Sequence, residues 1–299
     1  RRRLTRMISE DILILPDGRR MGYGLYGNLQ GTPILDFHGI PGSRREAALI
    51  DSYLQRQDVC FIGFDRPGYG RSSPRRNTRV ADIPADVIAL TDHLNLDCFL
   101  MLAYSGGAPF ALAVAAAYPE RVSALGIVSG IGPAEVGAAD MHEGNRKKFN
   151  LAQRHPQFAK LALSLAFNQM RRHADRLPQQ LQTLWQKLPA VDQKVLQDET
   201  YKKGIIDITL DAIQNTAKGW VEEEVLVTLP WQINLNEIRC RNIYLWHGGQ
   251  DRNVPLKMAQ ATAAQLPACK TYWKPEEGHL SLLYHHGGEI VSTLLQHAG

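Results

Sequence analysis

The sequence CFLMLAYSGGAPFALAVAAA, residues 98–117, holds the strongest structural signal in the chain. Residues 99–103 are a short apolar run, which is typical of a central parallel strand. The alanine- and leucine-rich run after Gly107 predicts a helix packed closely against the sheet. Ser105 lies between them, and its small neighbours leave room for the strand and the helix to approach each other. The segment therefore predicts a strand, a sharp turn with a serine at its tip, and a helix.

The turn Ala103-Tyr104-Ser105-Gly106-Gly107 resembles the nucleophile elbow of the α/β-hydrolase superfamily. The usual pattern there is GxSxG, and in this chain an alanine stands at the first glycine, a departure of one methyl group. The resemblance implies an α/β-hydrolase fold, in which a mostly parallel central sheet is flanked by helices and carries a helical cap insertion. It also implies that the serine is a nucleophile. From the residues alone, a glycine turn that contains a serine by chance is the alternative.

A second motif, HGIPGS at residues 38–43, follows a predicted strand at residues 33–37. Capped α/β-hydrolases carry a similar HGxPG turn after their third strand, so the motif extends the resemblance. The resemblance implies that the backbone N–H groups of Ile40 and Gly106 form an oxyanion hole, which stabilises the charge that develops on a substrate carbonyl oxygen. We expect His38 to hydrogen-bond within this loop and shape it.

A serine nucleophile needs a base within hydrogen-bond reach and a third group that orients the base. The resemblance implies the chain order nucleophile, acid, histidine, with the acid after a late strand and the histidine after the last one. Asp251 in HGGQD and His279 in EEGHLSL match these two places. The resemblance therefore assigns the catalytic roles to Ser105, Asp251 and His279. Asp65, in the turn DRPGYGRS, is the next candidate for the acid.

The order of the predicted elements divides the chain into three segments. Residues 1–131 and 231–299 alternate strands and helices, as expected for two parts of one α/β core, and the strand-like runs at 12–15 and 21–26 predict an antiparallel hairpin at the sheet edge. Residues 132–230 show no convincing strand and look like the cap domain of the superfamily. Helices are expected at 78–95 in the core, and in the cap at 143–172 with a break at Pro156, at 179–187, at 191–202, and at 205–229 with a break at Gly219.

Composition limits the classes of function. Hydrophobic residues make up 44% of the 299 residues, and the formal charge of +4 owes much to the basic run at residues 1–6, which we interpret as a solvated terminus rather than a nucleic-acid site. No segment reaches membrane-spanning length, and no apolar signal segment follows the arginines, although a leader removed before Arg1 is compatible with the absence of Met. The four cysteines form no CxxC pair, which argues against a metal site and fits a reducing compartment. We therefore expect a cytoplasmic protein without cofactor, metal or nucleic-acid partner.

The residues limit the reaction more closely than the substrate. Ser105 excludes the dehalogenase and epoxide hydrolase branches as usually built, because those use a carboxylate nucleophile. The resemblance then favours a serine hydrolase that cleaves a small carboxylic ester, thioester or amide through an acyl-enzyme. Ile40 and the apolar cap side chains suggest an uncharged pocket, so we favour an esterase. The apolar cap positions are Leu161, Leu165, Phe167 and Trp220, and the candidate pocket residues are His38, Tyr104, Leu165 and Trp220.

Two other functions stay open. Among sequences that this chain resembles, those with HGGPG in place of HGIPG are proline iminopeptidases. The predicted cap residues Glu222, Glu223 and Glu224 could bind a substrate amine, although successive helical positions point in different directions. The other alternative is a protein that binds a small ligand in the same pocket without turnover, against which the complete set of three candidate catalytic residues argues. The sequence does not indicate an oligomeric state.

Overall fold

The computed structural model of the chain describes residues 9–56 and 58–298, so the basic run at residues 1–6 lies outside the described residues. Its strands are β1 (Ser9–Ile14), β2 (Arg20–Gly27), β3 (Thr32–Phe37), β4 (Val59–Phe64), β5 (Phe99–Tyr104), β6 (Val122–Val128), β7 (Ile243–Gly248) and β8 (Cys269–Lys274). They form one sheet in the order β1-β2-β4-β3-β5-β6-β7-β8. Strands β3 to β8 pair in parallel, whereas β2 pairs antiparallel with both β1 and β4. The predicted hairpin at the sheet edge is confirmed.

Helices cover both faces of the sheet and fill the segment between β6 and β7. The core helices are α1 (Arg45–Leu54), α2 (Ile83–His93), α3 (Ala108–Ala117), α10 (Leu256–Gln265) and α11 (His279–Leu295). The helices between β6 and β7 are α4 (Glu143–Arg154), α5 (Pro156–Arg172), α6 (Leu177–Trp185), α7 (Ala190–Val195), α8 (Glu199–Ala212) and α9 (Lys218–Leu226). Within the described ranges, no helix has the length and apolar character that crossing a bilayer requires.

Burial on both faces explains why the central strands are continuously apolar. In β5, Met101 and Ala103 belong to the cluster formed with α2, α3 and α10, whereas Leu100 and Leu102 belong to the cluster formed with α1 and α11. Successive strand side chains point to opposite faces, so a strand covered on both sides is mainly apolar. The predicted fold, a mostly parallel sheet flanked by helices, is confirmed.

The order in which strands are added to the sheet reverses at β3. This strand pairs with β4 on one side and with β5 on the other. Ligands of open α/β sheets bind at such a switch point, because the loops at the carboxyl ends of the two strands diverge and leave a crevice. The loop at residues 38–43 follows β3 and Ser105 follows β5, so the two motifs that the sequence singled out lie side by side.

Three predicted helix bounds are wrong, and each difference has a local cause. The helix expected over 78–95 begins only at Ile83, after a short 3₁₀ turn in which the Asp82 carboxylate accepts the Arg79 N–H at 2.9 Å. The helix expected over 191–202 is two helices, because the Asp198 carboxylate accepts the N–H groups at positions 200 and 201 and starts α8. Helices α8 and α9 are separated at residues 213–217 rather than at Gly219.

Gly219 permits a close approach instead of a break. It lies inside α9, where its N–H donates to the carbonyl of Gly68 at 3.1 Å. A Cβ atom at this position would lie 2.6 Å from the ring of Tyr69. The predicted break at Pro156 is confirmed, since α4 ends and α5 begins there. The assignment of residues 132–230 as a separate cap domain stays a prediction.

Candidate active site

Ser105 occupies the turn between β5 and α3 with a φ of +52°, in the left-handed region that side chains rarely adopt. A Cβ atom on Gly107 would overlap the carbonyl oxygen of Phe37, and one on Gly106 would lie 2.5 Å from the side chain of Ile40. The loop after β3 therefore leaves no room for larger residues after the serine. The small residues hold the hydroxyl at the tip of a strained turn, as the sequence predicts.

His279 connects Ser105 and Asp251. Its Nε2 lies 3.0 Å from the serine Oγ, and its Nδ1 lies 2.7 Å from Oδ2 of the aspartate. The other aspartate oxygen accepts the N–H groups of Asn253 and Val254, both at 2.9 Å, which fixes the carboxylate. When Nδ1–H donates to the carboxylate, Nε2 is free to accept the serine proton. The structure thus brings together the three residues to which the sequence assigns catalysis.

Burial and charge have opposite effects on the pKa values of His279 and Asp251. Burial disfavours the imidazolium of His279, but Asp251, with smaller contributions from Asp192 and Glu46, raises the histidine pKa above its ordinary value. Burial alone would raise the pKa of Asp251, yet the charge and hydrogen bond of His279, and the nearby His247, lower it below the ordinary value. The aspartate is therefore ionised, and its negative charge favours the protonated form of the imidazole.

Asp192 holds the segment that carries His279, and sequence reasoning missed it. This buried aspartate of α7 accepts the N–H groups of His279, Leu280 and Ser281, each at 2.9 Å. These are the first N–H groups of α11, which have no partner within the helix. The carboxylate caps all three and complements the positive end of the helix dipole. Because 87 residues separate the acceptor from His279, no local sequence pattern indicates the contact.

The loop at residues 38–43 lies against the serine turn. Ile40 and Gly106 line the same cavity as Ser105 and His279. Within residues 9–56 and 58–298, no acceptor is bonded to the N–H of Ile40 or of Gly106. This placement is compatible with the predicted oxyanion hole, which stays a prediction.

Arg66 ties this loop to the helical segment. Its buried guanidinium donates to the carbonyl oxygens of His38 at 2.6 Å and of Gly39 at 3.2 Å. The same group forms a two-pronged ion pair with Glu223 on α9, at 2.6 and 2.7 Å. Such a buried pair is costly to break, because either partner alone would be an uncompensated buried charge. The loop is thus held, through Arg66, by Glu223, which the sequence analysis had suggested as a ligand for a substrate amine.

His38 shapes the loop and does not line either cavity beside Ser105. Its ring is fully buried, with Nδ1 2.8 Å from the carbonyl oxygen of Gly39 and Nε2 3.4 Å from the backbone nitrogen of Arg66. Burial, and then the neighbouring guanidinium, lower the pKa of His38 well below its ordinary value. The prediction that it hydrogen-bonds within the loop is confirmed. Its suggested place among the pocket residues is wrong, because the ring is buried against Arg66 and Tyr69 instead.

Glu46, on α1, is a second carboxyl group beside the loop that sequence reasoning missed. Both of its oxygens accept the N–H of Gly39, at 3.2 and 3.1 Å, and the residue lines the larger cavity. Burial raises the pKa of Glu46 to about 7 against the opposing effects of that hydrogen bond and of Arg66. The loop is therefore supported from the core by Glu46 as well as from the helical segment.

Two cavities border Ser105 and His279, with volumes of about 570 and 120 Å³. The walls of the larger one are mainly apolar and come from α5, α6, α8 and α9. They include Phe167, Leu177, Leu181, Ile208 and Trp220. Besides Ser105 and His279, four polar residues border both cavities, namely Asn145, Lys148, Glu224 and Asn253. The serine thus faces an apolar space with one polar edge.

The suggested pocket residues divide into two groups. Tyr104 lines the larger cavity, and its hydroxyl donates to the carbonyl oxygen of His279 at 3.1 Å. Trp220 also lines it, stacked on Phe167 with ring centroids 3.9 Å apart. Leu165 does not line either cavity, and it is 69% exposed. Two helix positions place it about 200° around α5 from Phe167, so the two side chains face opposite directions.

The three consecutive glutamates of α9 have different surroundings. Glu222 pairs with Lys160 at 2.5 Å on a partly exposed surface, and Glu223 forms the buried ion pair with Arg66. Glu224 borders both cavities, where its carboxylate accepts from Lys148 at 2.9 Å and from the indole N–H of Trp220 at 3.0 Å. Only Glu224 among them is placed to meet a ligand.

Asp65, the alternative acid, stabilises the turn in which it lies. Its carboxylate accepts the backbone N–H groups of Arg44 and Arg71, at 2.8 and 2.9 Å, and pairs with the Arg44 guanidinium at 2.9 Å. That guanidinium also pairs with Asp211 of α8 at 2.7 Å. None of the hydrogen bonds of the described residues joins Asp65 to His279, which agrees with a structural role.

Comparison with known proteins places these observations in a family. The model of a family described as having the alpha/beta hydrolase fold matches residues 32–286. The uncharacterized hydrolase YcgS of Bacillus subtilis is 33% identical over 115 residues, which are 38% of this chain and 39% of that protein. A proline iminopeptidase of Xylella fastidiosa is 31% identical over 117 residues, 38% of this chain and 37% of that protein. The chain therefore spans less than two fifths of the length of these relatives.

The solved structures agree on the fold over almost the whole chain. An esterase from Exiguobacterium antarcticum superposes with a TM-score of 0.67 at 18% identity, over 97% of this chain and 99% of that one. At this identity the likeness concerns the fold, whereas the family match covers most of the sequence itself. This chain belongs to the α/β hydrolase fold family.

Proposed function

We propose that this protein is a serine hydrolase that cleaves small carboxylic esters through an acyl-enzyme on Ser105. The observation that carries the proposal is the hydrogen-bonded series from Ser105 Oγ to His279 Nε2 at 3.0 Å and from His279 Nδ1 to Asp251 Oδ2 at 2.7 Å. The series borders a mainly apolar cavity of about 570 Å³. A nucleophile, a base and an orienting acid beside an apolar space are what ester cleavage requires.

Acylation follows from this geometry. His279 takes the hydroxyl proton as Ser105 Oγ attacks the ester carbonyl carbon, and the carbonyl oxygen becomes an oxyanion. The N–H groups of Ile40 and Gly106 would donate to that oxygen. The tetrahedral intermediate then collapses, the bond to the alkoxy group breaks, and His279 gives its proton to the leaving alcohol. Deacylation repeats these steps with water as the nucleophile and releases the acid.

The first prediction is covalent labelling of the proposed nucleophile. A fluorophosphonate probe should phosphonylate Ser105, because the serine oxygen is activated by His279 and fluoride is displaced. Mass spectrometry of the peptide that contains Ser105 is the measurement, and His279→Ala, which removes the base, is the control that should label much more slowly. A folded wild-type protein without an adduct on this peptide would favour the alternative of a non-catalytic ligand-binding protein.

An aminopeptidase is the second candidate, and one observation favours it. Glu224 borders both cavities beside Ser105, and a relative with sequence similarity is named a proline iminopeptidase. A buried substrate amine must meet a carboxylate, because an unpaired buried charge is costly. The charge of Glu224, however, is already balanced by Lys148, and its Oε1 accepts from both Lys148 and the indole of Trp220. The ester therefore remains the favoured substrate.

The second prediction separates these two candidates. Short-to-medium acyl esters should be cleaved with a much higher kcat/KM than proline or alanine arylamides that carry a free amine. Glu224→Gln should leave this preference unchanged, and Glu222→Gln, at a partly exposed pair, is the matched control. If the arylamides were preferred and Glu224→Gln alone removed that preference, the esterase assignment would be replaced by an aminopeptidase.

A further inference from the structure

The outer face of α5 exposes large apolar side chains. Phe158, Leu161 and Leu165 are 61%, 61% and 69% exposed. Their spacing of three and four residues places them on one side of the helix. Sequence reasoning assigned two of them to the pocket, but it is the opposite side of α5, with Phe167 and Met170, that lines the larger cavity. Burial in the substrate site therefore does not explain why the side chains of this face are apolar.

The chain around α5 is rich in basic residues, and two of them, Lys148 and Lys160, are paired with Glu224 and Glu222 of α9. Residues 144–174 contain seven lysines and arginines and no aspartate or glutamate, although the whole chain has a net charge of only +4. Arg154 is the last residue of α4, two positions before α5 begins, and Arg172 is the last residue of α5; both are exposed. Arg172 follows Leu165 by seven residues and so lies on the same side of the helix. In the part of the chain that the structure describes, neither arginine has an ion-pair partner.

We propose that this face, formed by Phe158, Leu161 and Leu165 with Arg154 and Arg172 at its ends, binds the surface of an anionic phospholipid bilayer. A helix that carries large apolar side chains flanked by basic residues lies in the bilayer interface, with its apolar side among the acyl chains. The two arginines would lie at the level of the phosphates and attract the negatively charged leaflet.

A second copy of the chain fits this face less well. In a symmetric dimer the same patch meets itself, so each arginine would approach the arginines of the other copy. Like charges brought together across an interface oppose association. An anionic lipid surface instead offers the complementary charge. The proposal concerns binding and does not depend on the proposed esterase activity.

The third prediction tests this binding with the full chain. We expect cosedimentation with vesicles of equal parts phosphatidylcholine and phosphatidylglycerol, weak binding to phosphatidylcholine alone, and a decline at high salt. The double variant Arg154→Gln/Arg172→Gln should bind about thirtyfold more weakly, since each basic residue near such a surface contributes about a factor of five. The triple variant Phe158→Ser/Leu161→Ser/Leu165→Ser should lose most of the binding, and its exposed positions should leave the urea midpoint unchanged.

Matched controls are available elsewhere on the surface. Ile14→Ser removes a side chain that is 62% exposed on the edge strand β1, and Lys257→Gln removes an exposed positive charge on α10. Neither should change binding. No binding by the wild type, or equal binding by the triple variant, would overturn the proposal. If the wild type bound no vesicles but formed a dimer that the triple variant lost, the face would belong to a second copy instead.

Discussion

Replacement of Asp251 by asparagine is expected to lower kcat/KM for ester cleavage by about ten-thousand-fold. The aspartate Oδ2 accepts the Nδ1–H of His279 at 2.7 Å. An asparagine amide can instead donate to Nδ1, and the imidazole proton would then be on Nε2. A protonated Nε2 cannot accept the proton of Ser105. The variant should fold, because the amide oxygen can still accept the N–H groups of Asn253 and Val254 that Oδ1 accepts now.

The measurement is steady-state cleavage of a reactive ester, with the urea midpoint as the check on folding. Asp140→Asn is a suitable control, because Asp140 is a partly exposed carboxylate that pairs with Lys257 away from the site. A rate for Asp251→Asn within about tenfold of wild type, equivalent to about 1.4 kcal/mol of barrier, would mean that the acid is another residue. Asp65 would not replace it without rearrangement, since its oxygens hold Arg44 and Arg71.

Replacement of Asp192 by asparagine is expected to lower kcat/KM by about a hundredfold and to move the acid limb of its pH profile to lower pH. The carboxylate caps three N–H groups at the start of α11, and an asparagine can accept from only part of this set. A small displacement of His279 would follow. The negative charge of Asp192 also contributes to the raised pKa of His279, so its removal lowers that pKa.

The direction of the shift follows from the protonation state that acts. His279 is inactive as a base while it is protonated, so the wild-type rate should rise with pH through the raised histidine pKa, above the ordinary value near 6.5. In Asp192→Asn the same rise should occur at lower pH. Asp198→Asn is the matched control, since Asp198 caps two N–H groups at the start of α8. An unshifted acid limb in Asp192→Asn, with a loss of stability equal to that of the control, would reduce Asp192 to a structural cap.

The helical segment between β6 and β7 supports both sides of the candidate site. Asp192 of α7 holds the start of the helix that carries His279, and Glu223 of α9 holds Arg66 beneath the loop that carries Ile40. Changes in this segment can therefore alter the base and the proposed oxyanion site without touching a substrate. Arg66 and Asp192 each connect an element of the core to the helices above it.

The sequence alone determined the features that depend on local sterics and on chain order. The serine turn needs small residues because β5 and α3 approach each other, so Gly106 and Gly107 mark it without knowledge of the fold. Strands covered on both faces are mainly apolar, which allowed the core strands to be predicted. Asp251 and His279 were assigned because they match the chain order that the family resemblance implies, and the carboxyl ends of parallel strands then bring them to one edge of the sheet.

The tertiary structure alone decided which side chains meet across long separations in the chain. The contact of Asp192 with His279 spans 87 residues and that of Arg66 with Glu223 spans 157, so neither leaves a local pattern. Helical geometry gives α5 distinct sides, but only the packing of the neighbouring helices determines which side is covered. For this reason Leu161 and Leu165 were assigned to the pocket from their apolar character, whereas the structure places them on the outer face, with Phe167 turned toward the cavity.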